Sequence, residues 1–363
     1  MNRCPVGAIA PHGAVLALAT AFAILVFPSV AATAEPPAAN AAAEQQQTER
    51  SGAKLITPAA QQAIDRGLSW LVARQHEDGS FGAGAYRGNT AVTGIAGMAL
   101  VAGGSTPGRG PHGLQVQRTV DSLLASAQPS GFITSAAAGH GPMYGHGFAT
   151  MFLAECYGMS PRAELREKLA KAVKLIVNTQ NQDGGWRYMP QRAEADISVT
   201  VCEIMALRAA RNAGLHVPNQ TVDRSKDYVK RCQNADGGFM YMIQGGESMF
   251  PRSAAGVVAL YSAGVYQDPD ITKGLAYLLQ FLPAEGMARR EAYYYYGHYY
   301  AVQAAWHAGG DTWDRWYPAV RDELLQRQRS DGSWPSPIDV DCDTAFALIV
   351  LQMPNNYAPI FQR

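Results

Sequence analysis

No long run of either charge occurs in this chain. Lysine and arginine total 30, aspartate and glutamate total 30, and the formal net charge is zero. So balanced a chain has no electrostatic footprint for nucleic acid or an anionic membrane surface, and neither is an expected partner. Cysteine is scarce: five residues, none in a C-x-x-C pair. Cys4 falls in the leader described below. Cys156, Cys202, Cys232 and Cys342 remain, and at least three of them read as small buried hydrophobes. A chain of 363 residues that is 47% hydrophobic buries a large core without needing cross-links. Also missing are an Asp-Asp-x-x-Asp run for magnesium diphosphate, a P-loop, G-x-S-x-G and H-E-x-x-H. No cofactor is expected.

Long apolar runs are lacking too, with one exception. Residues 14–27 are apolar, Arg3 precedes them and Ala32-Thr33-Ala34 follows. The run is shorter than the ~20 apolar residues of a spanning helix. It reads as a secretory leader over residues 1–34, removed on export to the periplasm or beyond. Residues 35–56, rich in Ala, Gln, Glu and Pro, read as a disordered linker.

What the chain has in abundance is a repeat. Gln75-His-Glu-Asp78-Gly79-Ser-Phe81 returns as Gln180-Asn-Gln-Asp183-Gly184-Gly-Trp186, Gln233-Asn-Ala-Asp236-Gly237-Gly-Phe239 and Gln328-Arg-Ser-Asp331-Gly332-Ser-Trp334. Weaker copies stand at Gln128-Pro-Ser-Gly131-Phe132 and at Gln280, before a diverged loop. The glutamines at 75, 128, 180, 233, 280 and 328 are 47 to 53 residues apart. Before each lies an amphipathic pattern. In the first copy Thr57 is a candidate N-cap, Pro58 opens the helix, and Ile64, Leu68, Leu71 and Val72 share a face. In the third, Ser160-Pro161 opens a helix with Leu165, Leu169, Val173 and Ile176 on its face. After each motif comes a segment apolar nearly all round, the mark of a buried helix. Most of these end at glycine, at Gly103, Gly158, Gly214, Gly264 and Gly309, as left-handed caps would require. Six such hairpins predict an all-α fold, an (α/α)6 toroid over residues 57–363. Its apolar helices form the inner ring, and closure buries both terminal faces. The motif itself reads as scaffold: glycine for a positive φ, aspartate for the turn backbone, the aromatic and glutamine between repeats.

These residues resemble the "QW" repeat of squalene–hopene cyclases, oxidosqualene cyclases and protein prenyltransferase β subunits, over about residues 58–363. The run Tyr293-Tyr-Tyr-Tyr-Gly-His298-Tyr-Tyr and the terminal Pro359-Ile-Phe-Gln-Arg363 resemble bacterial prenyltransferase/squalene oxidase repeat proteins. The resemblance implies the toroid; it implies no one activity, since the fold also carries non-enzymes. Squalene cyclases use two such domains, and this chain has room for one. Prenyltransferase β subunits are one toroid but work in the cytosol with a helical partner.

In this fold the inner helices start at one mouth of a central cavity. The residues opening them are the candidates: Thr90 and Thr93; Tyr144 and His146; Asp196, Ser198 and Thr200; Met249, Phe250 and Arg252; Tyr296, His298 and Tyr299; Asp339, Asp341, Cys342 and Asp343. The segment Asp339-Val-Asp341-Cys342-Asp343-Thr344-Ala resembles the Asp-x-Asp-Asp-Thr-Ala motif of class II terpene cyclases, whose middle Asp of the final three protonates an alkene or epoxide. Aligned on Thr344, that proton donor is replaced by Cys342. Asp341 or Asp343 would then act as acid; equally, the three carboxylates cap the helix and complement its dipole. Prenyltransferases place a zinc-binding Asp two residues before the Cys, where Val340 stands here. A zinc set of Asp341, Cys342 and His298 is a weaker alternative. Tyr144, His146, Arg252, Tyr296, His298 and Tyr299 are candidate ligand contacts, the tyrosines through their π faces and Arg252 as an anion clamp. Three functions follow. The toroid binds an apolar small molecule, lipid or polymer; or it is a cyclase or isomerase using Asp341 or Asp343; or it is a carbohydrate hydrolase or lyase in which Asp196 faces Asp341.

Overall fold

The computed structural model describes residues 55–139, 141–283 and 293–362. The leader, most of the linker and residues 284–292 of the diverged loop after Gln280 fall outside these residues. Leu55 and Ile56, the last two residues of the linker assignment, pack on the core. Among the described residues no strand forms and twelve α-helices do.

The outer helices are α1 (Pro58–Arg74), α3 (Gly113–Ala125), α5 (Ala163–Thr179), α7 (Asn219–Arg231), α9 (Pro269–Leu278) and α11 (Gly310–Arg327). Alternating with them are the inner helices α2 (Thr90–Ala102), α4 (Pro142–Met159), α6 (Ile197–Asn212), α8 (Phe250–Ser262), α10 (Tyr294–Ala308) and α12 (Val340–Gln352). Local chemistry sets their starts. Thr57 Oγ1 accepts from Ala60 N–H at 3.2 Å, and Pro58 opens α1. Asn89, Asp196 and Asp339 cap α2, α6 and α12 in the same way. α1 buries Ala60, Ala63, Ile64, Leu68 and Leu71 on one side, whereas in α2 every residue but Ala91 is buried.

Each inner helix packs on the two inner helices beside it, and α12 returns to α2. The ring is closed, as six hairpins predict. The motif glutamines staple it. Gln180 Nε2 donates to Gly184 O in its own turn (2.8 Å) and to Thr221 O of the next outer helix (2.9 Å). Gln75 and Gln233 do likewise, and Gln328 reaches Ala63 O of α1 (2.8 Å), joining the last repeat to the first. The motif glycines have φ between 82° and 102°, and a Cβ on Gly184 would stand 2.1 Å from Arg224 O of α7. Glycine there answers both the turn and a close backbone approach. Phe81, Trp186, Phe239 and Trp334 are buried completely or nearly so, and Trp334 packs on α1 beside Gly67.

Several boundaries differ from the sequence reading. Ser160-Pro161 does not open α5; the helix begins at Ala163, because residues 160–162 are the extended link from α4. Gly158 lies inside α4, and after α2 the left-handed residue is Gly104, not Gly103. Gly214, Gly264 and Gly309 do adopt positive φ. In the second repeat the aromatic position belongs to Ile133 rather than Phe132, since Ile133 is fully buried two residues after Gly131. Cys156, Cys202 and Cys232 are buried free thiols, and Cys342 is half-buried and also free.

At the end of the ring away from the inner-helix starts, the C-terminal turn Pro359–Phe361 packs on α6. Ile360 N–H donates to Glu155 Oε2 at 3.2 Å, and Phe361 lies 6.3 Å from the Tyr299 ring. Burial raises the Glu155 carboxyl to about 7. No described helix is long and apolar enough to cross a membrane.

Candidate functional site

A cavity of about 630 Å³ opens where the inner helices start. All six contribute to it from their first two turns: Ala91, Tyr144 and Phe148, Ser198, Pro251 and Arg252, Tyr296, then Cys342, Asp343 and Phe346. Loop residues Tyr188, Tyr241, Met249, Tyr293 and Ile338 complete the wall. Residues far apart in the chain therefore meet at one mouth. Seven of the fifteen lining residues are aromatic, and Asp343 is the only carboxylate of the lining among the described residues.

Helical geometry sorts the candidates. Two residues along an α-helix is a turn of about 200°, so neighbours at i and i+2 face opposite ways. Tyr144, Tyr296, Arg252 and Asp343 face the cavity. Their partners two positions away face the wall behind it, and these placements depart from the expectation for His146, His298 and Asp341. His146 is fully buried; its Nδ1 accepts from Ile133 N–H (3.1 Å), and its Nε2 donates to Ala172 O (3.2 Å). That bond to Ile133 repeats what hydroxyls do elsewhere. Thr93, Thr200, Ser253 and Thr344 accept from the backbone N–H of Phe81, Trp186, Phe239 and Trp334. His146 is the second repeat's version of this staple, and burial holds it neutral by lowering its pKa to about 4. His298 packs among Tyr294, Phe250 and Trp316, with ring centroids at 4.4, 5.0 and 5.9 Å. Burial, then the charge of Arg327, pushes it down to about 3. Tyr299 lies beneath the cavity floor, 4.9 Å from the Phe346 ring and 6.4 Å from Phe148.

Asp341 is fully buried and engaged at both oxygens. Oδ1 accepts from Arg74 Nε (3.0 Å) and Oδ2 from Gly82 N–H (2.9 Å). Asp339 adds a bond from Ala83 N–H (2.8 Å) and caps α12 through Cys342 N–H. These two carboxylates latch the last repeat to the first. The zinc set does not assemble, because Asp341 is held by the latch and His298 by its aromatic cage. No group of three metal-ligating side chains occurs among the described residues.

Asp343 is nearly buried and borders the cavity; burial, opposed by Ser336, raises it to about 6. Asp196 is fully buried behind the wall. Its Oδ1 caps α6 through Ser198 and Val199 N–H (3.0 and 2.9 Å), and burial raises it to about 6. Asp196 and Asp341 thus do not face one another across open space.

Sequence reasoning missed Phe148, Tyr188, Tyr241, Tyr293, Ile338 and Phe346. Tyr188 and Tyr241 carried a signal: each stands two residues after a motif aromatic, in Gly-Gly-Trp-Arg-Tyr and Gly-Gly-Phe-Met-Tyr. Phe148 and Phe346 follow Tyr144 and Cys342 by one helical turn.

Comparison with known proteins agrees with this architecture. A type II terpene cyclase from Scytonema, solved with geranylgeranyl dihydroxybenzoate as substrate, superposes with a TM-score of 0.59 at 14% identity, covering 83% of this chain and 98% of that one. An α-1,6-mannanase of Salegentibacter, solved with α-1,6-mannotriose, gives a TM-score of 0.59 at 8% identity, covering 82% and 99%. An α-amylase from Clostridium perfringens gives 0.59 at 9% identity, covering 80% and 97%. Identities this low show a shared fold and no more. No curated protein matches the sequence. The family model for the prenyltransferase alpha-alpha toroid domain matches residues 51–287, and the chain belongs to that family.

Proposed function

We propose that the toroid binds a small, largely apolar molecule in its central cavity, without the alkene-protonating chemistry of a terpene cyclase. One observation carries this reading: all six inner helices open onto a single cavity of about 630 Å³, and α4, α10 and α12 turn Tyr144, Phe148, Tyr296 and Phe346 into it. That is the size and character of a small-molecule site. Arg252 and Asp343 give its mouth two opposite charges for a polar end of the ligand.

The chemistry at α12 argues against cyclisation. Protonating an alkene requires a strongly acidic donor. Cys342 occupies the donor position, and burial raises its thiol well above the ordinary range. Asp341 is committed to Arg74 and Gly82. Asp343, at about 6, is too weak an acid. That same value favours a second reading, an isomerase in which Asp343 is general acid and base near neutral pH. The carbohydrate reading lacks its pair of facing carboxylates.

The test is extraction of the purified protein with organic solvent, followed by mass spectrometry. One co-purifying apolar compound in stoichiometric amount supports the reading. Turnover of a polyene to a cyclic product would refute it. Export is proposed with it, and the intact mass of protein recovered outside the cytoplasm tests for a mature chain starting at Glu35.

A further inference from the structure

Resting on the reading of the cavity as an apolar site, we infer that Tyr188, Tyr241 and Asp196 form a hydroxyl-reading anchor in its wall, so that the ligand is an alcohol rather than a hydrocarbon.

Both tyrosines line the cavity, and their hydroxyls hydrogen-bond to each other. Their backbones are fixed. Tyr188 O accepts from Met143 N–H at the start of α4 (3.1 Å), and Tyr241 O accepts from Ile197 N–H at the start of α6 (2.9 Å). Neither side chain takes part in the staples that build the ring. The equivalent place in the first repeat is Ala83, two residues after Phe81.

Asp196 exceeds what a helix cap requires. The corresponding cap of α2 is Asn89, whose Oδ1 accepts from Ala91 and Val92 N–H and whose amide donates to Ala137 O. A neutral side chain therefore suffices for the scaffold. Asp196 caps with Oδ1 alone. Its Oδ2 is buried without a donor at hydrogen-bonding geometry, with Arg187 Nε 4.0 Å away and the Tyr241 hydroxyl facing the same carboxyl. A carboxylate oxygen kept in this position polarises the phenol in front of it.

Hydrogen counting gives the ligand class. Each phenol has one hydrogen and two lone pairs. In the inferred anchor the Tyr241 hydroxyl, which faces the Asp196 carboxyl, turns its hydrogen to that carboxylate when the ligand binds, and Tyr188 gives its own to Tyr241. What remains toward the cavity is the Tyr188 oxygen as acceptor. A ligand hydroxyl donates to it; an ether or a hydrocarbon has no hydrogen to give. A site built around a buried polar group discriminates strongly against an analogue that leaves the group unpaired.

The test is competition of geranylgeraniol, its methyl ether and the matching hydrocarbon for a fluorescent polyene alcohol bound to the full protein. In the native protein the free alcohol binds at least about tenfold tighter than the other two. Tyr241→Phe, checked for unchanged folding by circular dichroism, brings that preference below about twofold by removing the relay. Asp196→Asn, which preserves the cap as Asn89 does, weakens it too. Equal affinities in the native protein, or a preference surviving in Tyr241→Phe, would overturn the anchor while leaving the cavity reading standing. Failure of all three compounds and of the polyene to bind would overturn both.

Discussion

Asp341 and Arg74 meet across the seam of the ring, Oδ1 to Nε at 3.0 Å, although 267 positions separate them in the chain. The same carboxylate holds Gly82 N–H through its other oxygen. Asp341→Ala would leave a buried N–H without an acceptor and release the first motif loop from the last inner helix. The expected loss is about 3 kcal/mol of stability, read by urea denaturation. A change within about 0.5 kcal/mol would mean the seam is held elsewhere.

The motif glycines separate two costs that usually arrive together. Gly184 and Gly214 both have positive φ, 102° and 83°. A Cβ on Gly214 meets nothing within 4 Å, but one on Gly184 would strike Arg224 O at 2.1 Å. Gly214→Ala should therefore cost about 1–2 kcal/mol, the left-handed strain alone. Gly184→Ala should cost distinctly more, since two backbones must part. Equal losses in thermal melts would show that the repeats do not touch at this point.

Buried carboxylates give the stability a slope with pH. Asp343 is raised to about 6 from an ordinary value near 3.8, so the folded state holds its proton more tightly than the unfolded state. Its contribution is greatest below about pH 4, declines as the unfolded chain ionises, and levels off once the folded group ionises above about pH 6. The full change is of order 2–3 kcal/mol. Asp196 acts in the same window, and Glu155 extends it toward pH 7. Asp343→Asn should flatten the slope between pH 4 and 6 without removing it, in urea melts at stepped pH. An unchanged slope would place the Asp343 carboxyl in water.

The ring was legible in the sequence because its scaffold repeats. Six glutamines at near-constant intervals mark six hairpins, and the all-apolar segments identify the inner helices. Closure followed because an open arc would expose two apolar faces. The cavity was legible only in part. Knowing that Tyr144 or Tyr296 opens an inner helix places it at the mouth. It does not say which side of the helix faces the axis, and a shift of two residues exchanges lining for wall. That is why His146, His298 and Asp341 entered the same list as Tyr144, Tyr296 and Asp343. The roles of Asp341 and His146 depend on partners at Arg74, Gly82 and Ile133, which only the closed ring brings near. Tyr188 and Tyr241 were hidden differently: they sit in motif loops whose neighbours are all scaffold.

The cavity itself is open to one decisive measurement. Ala91 lines it from the first turn of α2 and is the one residue of that helix not buried, so Ala91→Trp should fill the mouth at little cost to the fold. A polyene fluorophore is expected to bind the native protein at one site per chain and to bind Ala91→Trp at least about tenfold more weakly, with an unchanged melting temperature. Undiminished binding by that variant would contradict a ligand seated within the ring.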